Sequence, residues 1–195
     1  MKTLLKAAIA SALLAGPVFA GGHAPWESVN DESLISFGSI KKDVVGEVHT
    51  FGETSGAVDN EGNVTISINL GSVETNIDIR NERMIKHVFK ALDAKAELSG
   101  TVDMDDVNGL AVGATAETYF EGQMSFAGAS SDVEADLFVA RLSEDRVLVT
   151  TSNMIMLSTA DLGVDEGIDE LKELASLSGI TRVTPVTVRM VFEKQ

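Results

Sequence analysis

The chain has 195 residues, no cysteine, and 30 Asp and Glu against 15 Lys and Arg, a formal charge of −15. This length suits one domain with a sizeable core. The absent cysteines exclude a disulfide framework, a thiol nucleophile and a Cys-ligated zinc site. The acidity argues against nucleic acid and anionic membranes as partners, because both are held through Lys and Arg at phosphates.

Residues 1–20, MKTLLKAAIASALLAGPVFA, place Lys2 and Lys6 before an apolar run from Ala7 to Leu14 and end on Val18-Phe19-Ala20. A charged start, a short apolar centre and small residues at the cleavage point form a secretory signal peptide. The run is too short to span a membrane. The expected organisation is therefore a signal peptide at 1–20 and one domain at 21–195, with 13 Lys and Arg against 30 Asp and Glu, or −17, after cleavage.

Beyond a short arm with Trp26, Ser33 to Ile40 alternates apolar Ile35 and Phe37 with Ser36 and Gly38, the period of a half-buried strand. Val44 to Val58 reads as a long second strand bent at Gly52 and Gly56, since glycine inside a strand pattern marks bulges and sharp bends. Asp59-Asn60-Glu61-Gly62 is a hairpin turn, and Asn63 to Leu70 returns with Val64, Ile66, Ile68 and Leu70 on one face. After Ser72 the period changes. Ile79, Met84, Ile85, Val88 and Phe89 fall at three-, four- and five-residue steps, a helical stripe flanked by Arg80, Arg83 and Lys86. Strands follow at Ala94–Asp103, Thr115–Phe126, Ser131–Leu142 and Arg146–Leu157, with one short helix in the turn between Met104 and Gly113. Ile168, Leu171, Leu174 and Ala175 mark a second short helix over Ile168–Leu177, and Arg182–Glu193 is the last strand.

Eight antiparallel strands joined in order predict an all-β, eight-stranded up-and-down barrel, lipocalin-like, with a helix after the third strand and a short helix before the last. Such a barrel just holds one small ligand. A two-sheet sandwich is the competing fold. An outer-membrane barrel fits less well, with aromatics at 5% and Thr187 and Arg189 on the outward face of the last strand.

Ser72, Val73, Glu74, Thr75, Arg80, Asn81, Met84 and Phe89 form a pattern that resembles the signature of the YceI-like family of bacterial periplasmic proteins. Ser33, Ile35, Phe37, Gly46, Val48, Phe51 and Gly56 fit its opening strands; Gly122, Met124, Gly128 and Val133 its centre; Asp161, Leu162, Gly163 and Val164 its late motif. The chain departs at Ser158 and Thr159, where many members carry Asn and Arg, and so lacks any ligand contact that pair makes.

Little in the residues argues for catalysis. His23, His49 and His87 show no short metal-ligand spacing and read as exposed or structural. Glu117 and Glu121 share a strand face but stand about 13 Å apart by the rise per residue, too far for a shared acid–base pair. Asp103, Asp105 and Asp106 lack the register of a calcium loop.

The resemblance implies a periplasmic, soluble barrel that binds a long-chain polyisoprenoid or quinone-type lipid in its lumen for transport, storage or stress response, with no covalent cofactor and no metal. It also suggests a homodimer. The expected lumen residues are Phe37, Val48, Phe51, Ile66, Ile68, Met84, Phe89, Met124, Phe126, Met154, Met156 and Met190, with Arg80 near a polar head and the Ile79–Phe89 helix capping the barrel. Two other readings use the same fold: an enzyme or a carrier of haem or another cofactor, and a stress-related interaction protein with a filled core. The export reading is tested by intact-mass measurement of the protein recovered from the periplasm. A chain beginning at Gly21 is expected, and one retaining residues 1–20 contradicts it.

Overall fold

The computed structural model describes residues 26–90 and 94–195. The expected signal peptide at 1–20 lies outside the described residues, as does His23.

Alternation of inward apolar and outward polar residues carries most of the chain into strands. β1 (Trp26–Ser28) and β2 (Leu34–Lys41) are one strand interrupted by a 3₁₀ turn at Asn30–Glu32. β3 (Val45–Phe51) and β4 (Thr54–Val58) are a second, broken at Gly52 as the sequence predicts. β5 (Asn63–Asn69) leads through a 3₁₀ turn into the two-residue β6 (Val73–Glu74), which pairs with β3. Then come β7 (Lys95–Thr101), β8 (Thr115–Phe126) and β9 (Ala129–Arg141). β10 (Arg146–Thr151) and β11 (Ile155–Ser158) share the seventh position, and β12 (Val183–Lys194) takes the eighth.

Each strand pairs antiparallel with its neighbour in sequence, and β12 closes the ring. One edge of β12 takes β1, with Trp26 opposite Lys194, and then β2, with Phe37 opposite Val186. Its other edge takes β10, with Val149 opposite Met190, and β11, with Ile155 opposite Val186. The result is a closed, eight-stranded antiparallel up-and-down barrel.

One end of the barrel is plugged. There α2 (Asp105–Asn108) buries Val107 among Trp26, Phe120, Val139, Met190 and Phe192. Arg141 ties this plug to the wall, its Nη2 donating to the carbonyl of Val107 at 2.8 Å while its guanidinium lies 5.3 Å from the Trp26 ring centroid.

The other end is covered by two helices. α1 (Asp78–Arg83) runs directly into a π-helical stretch over Met84–Phe89. Five-residue steps from Ile79 to Met84 and from Met84 to Phe89 suit i→i+5 bonding, and a π-stretch is rare enough in helices to mark a place where packing dictates the backbone. The segment ends at Lys90 in the left-handed region, φ 62°. α3 (Asp165–Leu174) lies across it. The sequence placed the end of α3 at Leu177; Ser176 at φ 50° turns the backbone away earlier.

The two helices touch at Gly167. A Cβ there would stand 2.4 Å from the carbonyl oxygen of His87 and 2.7 Å from Val88 Cα, both backbone atoms that cannot yield cheaply. Gly167→Val is therefore expected to lower stability by about 2 kcal/mol through overpacking, read as a reduced midpoint in denaturant unfolding. An unchanged midpoint contradicts the close approach.

Candidate functional site

Beneath the two helices the barrel encloses a cavity of about 410 Å³. Its wall comes from Phe37 of β2, Phe51 of β3, Ile68 of β5, Met124 and Phe126 of β8, Leu157 of β11 and Val186 of β12. Its roof comes from Met84, Val88 and Phe89 on the π-helical stretch and from Ile168 and Leu171 on α3. Rings run along one side in sequence: Phe37 stacks on Phe51 at 5.1 Å, Phe51 meets Phe89 at 6.1 Å, and Phe89 meets Phe126 edge-on at 5.9 Å. Nearer the plugged end lies a smaller, apolar hollow of about 90 Å³, lined by Ile66, Phe120, Val139 and Met190 among others. A cavity with the walls and size of the larger one suits an apolar ligand.

One patch of the larger cavity is polar. Glu47 faces inward from β3 and accepts from Lys41 Nζ at 2.8 Å and from Arg80 Nη1 at 2.7 Å. Burial alone would raise the Glu47 pKa, but the hydrogen bonds from Arg80 and Lys41 outweigh it and hold the carboxyl below its ordinary range. His49, two residues along the same face, is 3% exposed, and its Nε2 lies 3.1 Å from Ser39 Oγ. Burial, followed by the charge of Arg80, lowers its pKa against the opposing charge of Glu47, so the imidazole is neutral at neutral pH.

The motif around Arg80 is a self-bracing loop. Arg80 Nη2 donates to the carbonyl of Thr75 at 2.7 Å, and the Asn81 side-chain oxygen accepts from the Thr75 amide at 2.9 Å. Asn81 Nδ2 in turn donates to Glu74 at 3.2 Å. Thr75, 2% exposed, is thereby locked between the start of α1 and the mouth of the barrel.

Seven of the expected lumen residues, Phe37, Phe51, Ile68, Met84, Phe89, Met124 and Phe126, meet at the larger cavity, with Arg80 at its polar patch. Ile66 and Met190 point inward but line the smaller hollow. Three expectations are corrected. Val48 is 68% exposed: partners across an antiparallel pair share a face, so Phe37 opposite His49 points in while Gly38 opposite Val48 points out. Met156, 60% exposed, sits between inward Ile155 and Leu157 and so faces solvent. Met154, 65% exposed, lies in the link between β10 and β11.

Sequence reasoning missed Ser39, Lys41, Glu47 and His49. The two-residue spacing of Glu47, His49 and Phe51 was the available signal, since it places all three on one strand face. Among the described residues no group of three or more His, Cys, Asp or Glu is arranged to hold a metal ion.

No family model and no curated protein matches the chain. Solved structures do. A polyisoprenoid binding domain from Saccharophagus degradans, implicated in plant cell wall breakdown, is 32% identical, with 88% of this chain and 99% of that one covered at a TM-score of 0.85. BcnA of Burkholderia cenocepacia is 14% identical, with 84% and 98% covered at a TM-score of 0.64. A YceI protein of Campylobacter jejuni is 13% identical, with 75% and 84% covered at a TM-score of 0.51. The last two likenesses concern the fold alone.

The Arg80–Glu47 pair gives a pH-dependent prediction. Arg80→Met keeps the apolar stem but removes a partly buried charge partner and a bond to Thr75, at an expected cost of about 2 kcal/mol near neutral pH. A carboxyl whose folded pKa is depressed stabilises the fold above its unfolded value and loses that contribution as pH falls through the folded one. The gap between wild type and variant should therefore narrow in acid, leaving the part owed to Thr75. Equal stability at neutral pH, or a gap that widens on acidification, contradicts the pairing.

Proposed function

The chain belongs to the YceI-like family, and we propose that it is an exported, soluble carrier whose cavity holds the tail of one long-chain isoprenoid amphiphile. The single observation that carries this reading is the cavity itself: about 410 Å³, walled mainly by aromatic and flexible apolar side chains and roofed by two helices, with Lys41, Glu47, Arg80 and Arg83 its charged lining. At about 0.8 kcal/mol per buried methylene, a few isoprene units are retained without any ionic contact. Met84 and Met124 supply unbranched, polarisable surface that conforms to a kinked, methyl-bearing chain. The similar domain from Saccharophagus degradans, described as polyisoprenoid binding, supports the same class of ligand.

Among the described residues no helix is long and apolar enough to cross a membrane. The carrier role follows from a ligand that is insoluble alone and a roof of short helices through which it must enter. Transport and storage both need only that step.

The test is solvent extraction of protein purified from its periplasm, followed by mass spectrometry. An isoprenoid amphiphile at close to one per chain is the expected result. A folded protein that yields no lipid, or a coloured cofactor in its place, contradicts the reading. Phe126→Asp sets a charge against the Phe89 ring in the cavity and should cut recovered lipid at least tenfold while the barrel still folds.

A further inference from the structure

Resting on the lipid-carrier reading, we infer that the rim of the larger cavity and the outer wall below it form a surface that seats on a lipid bilayer, so that the amphiphile passes between membrane and cavity without entering water. Four contacts draw the rim as a ring. Arg83 Nη1 on α1 reaches the carbonyl of Leu174, the last residue of α3, at 3.5 Å. The chain beyond α3 then meets the β2–β3 hairpin, where the Lys42 amide donates to the Gly179 carbonyl at 3.0 Å and Lys41 bridges to Ile180. Glu47 on β3 closes the ring by accepting from Arg80 on α1 at 2.7 Å. Ile77, Ile79 and Ala175 of this ring line the cavity and are also exposed to solvent. The cavity therefore reaches the surface inside the ring.

Apolar side chains continue from this opening over the hairpin and down the outer wall. Val44, in the turn between β2 and β3, is 83% exposed, and Ile40 faces outward beneath it. One row further down, Val48 stands opposite Gly38; a Cβ on Gly38 would lie 2.9 Å from Pro185 Cγ, and Pro185 stands opposite Met156. That row crosses β3, β2, β12 and β11 without a charged side chain. The exposure of Val48 and Met156, which the strand alternation turns out of the lumen, thus gains a use. Apolar patches on the outside of a folded chain mark sites that dock on a membrane or another molecule.

Charge selects the bilayer as the occupant. Among the described residues, the charged side chains that line the cavity are Lys41, Arg80 and Arg83 against the single carboxylate of Glu47, in a chain with 30 acidic and 15 basic residues. At the hairpin turn Lys42 is matched by Asp43, and the exposed carboxylates Asp78, Glu82 and Glu173 of the neighbouring helices stand outside the lining. The rim is thus locally cationic on an acidic protein. Apolar side chains that dip into the acyl boundary, with cations level with the phosphates, are the arrangement of proteins that lie on a membrane. The acidic remainder of the surface is held off the phosphates, which turns the rim towards the bilayer. The cargo requires the same orientation, because an amphiphile dissolved in a membrane reaches the cavity only where the opening meets that membrane.

The experiment measures co-sedimentation of the full mature chain with phosphatidylcholine vesicles that contain no isoprenoid. Val44→Asp combined with Val48→Asp charges two exposed positions outside the cavity lining and should weaken partitioning about tenfold or more. Its unfolding midpoint and its uptake of geranylgeraniol from detergent solution should stay as in wild type. Val112→Asp, exposed between α2 and β8 at the plugged end, adds the same kind of charge and should leave vesicle binding unchanged. Because the chain has no cysteine, Val44→Cys and Val112→Cys each take a single nitrobenzoxadiazole label; on vesicles its emission should shift to the blue at the first site and not at the second. A wild type that ignores the vesicles, undiminished binding by the double variant, an equal loss with Val112→Asp, or a label at Val44→Cys that stays in water would each overturn the membrane surface and leave the carrier reading standing. So would a wild type that ignores vesicles and forms a dimer dissolved by Val44→Asp, which gives the rim to a second copy. A wild type that takes up no geranylgeraniol from detergent would instead strike the carrier reading, and this inference with it.

Discussion

A sheet of eight strands becomes a barrel only if its last strand reaches its first, and here the whole molecule hangs on β12. Its twelve residues pair on one edge with both halves of the first strand and on the other with both halves of the seventh. Closure removes the free edges that would otherwise pair with another chain. It also gives every strand residue one of two fates, inside or outside, and so converts a period of two in the sequence into a lumen and a surface.

That lumen keeps only a small hollow at one end and a large cavity at the other, and the difference lies in what closes each end. At the plugged end Trp26, Phe120 and Phe192 are buried around the small hollow, and α2 adds Val107 to its lining, held by the Arg141 bridge. At the other end the roof is made of helices, which cannot follow the barrel's curvature as side chains do. Met84 to Phe89 adopts π geometry, setting Met84 and Phe89 over the void, and α3 packs on it through the bare backbone of Gly167. The loop that enters this roof is braced by Arg80, Asn81 and Thr75, while Arg80 also grips Glu47 on the wall. A partly buried ion pair in apolar surroundings is seldom a net source of stability. Here it fixes where the roof stands relative to the wall, and with it the shape of the cavity.

Strand positions were legible in the sequence because Ile35, Phe37, Val64, Ile66, Ile68, Met190 and Phe192 keep strict alternation, and turn residues separate the runs. The helix at Ile79 to Phe89 was legible too, and its five-residue steps, irregular for an α-helix, were the trace of the π-stretch. Site residues were less so. Val48 and Phe51 were both drawn into the lumen by a motif, yet three positions apart on one strand they must face opposite ways. Met156 fails for the same reason beside Ile155 and Leu157. Ile66 and Ile68 share a face but fall in different compartments, because where the plug ends and the void begins depends on how the side chains of several strands meet across the axis, which no local pattern encodes. Glu47 was overlooked and His49 was read only as exposed or structural, since polar residues are read as outward by default, although their spacing from Phe51 placed them within.

The central claim, that the hollow half of the barrel holds an isoprenoid tail, is tested most directly with methyl-labelled methionine, because the chain carries methionines in three distinct environments. Met84 and Met124 line the larger cavity, Met104 and Met190 the smaller hollow, and Met154 and Met156 face solvent. In the lipid-loaded protein, nuclear Overhauser contacts from the tail's methyl groups to Met84 and Met124, and none to Met154 or Met156, are the result this account predicts. Contacts confined to Met154 and Met156, or absent from Met84 and Met124, would contradict it.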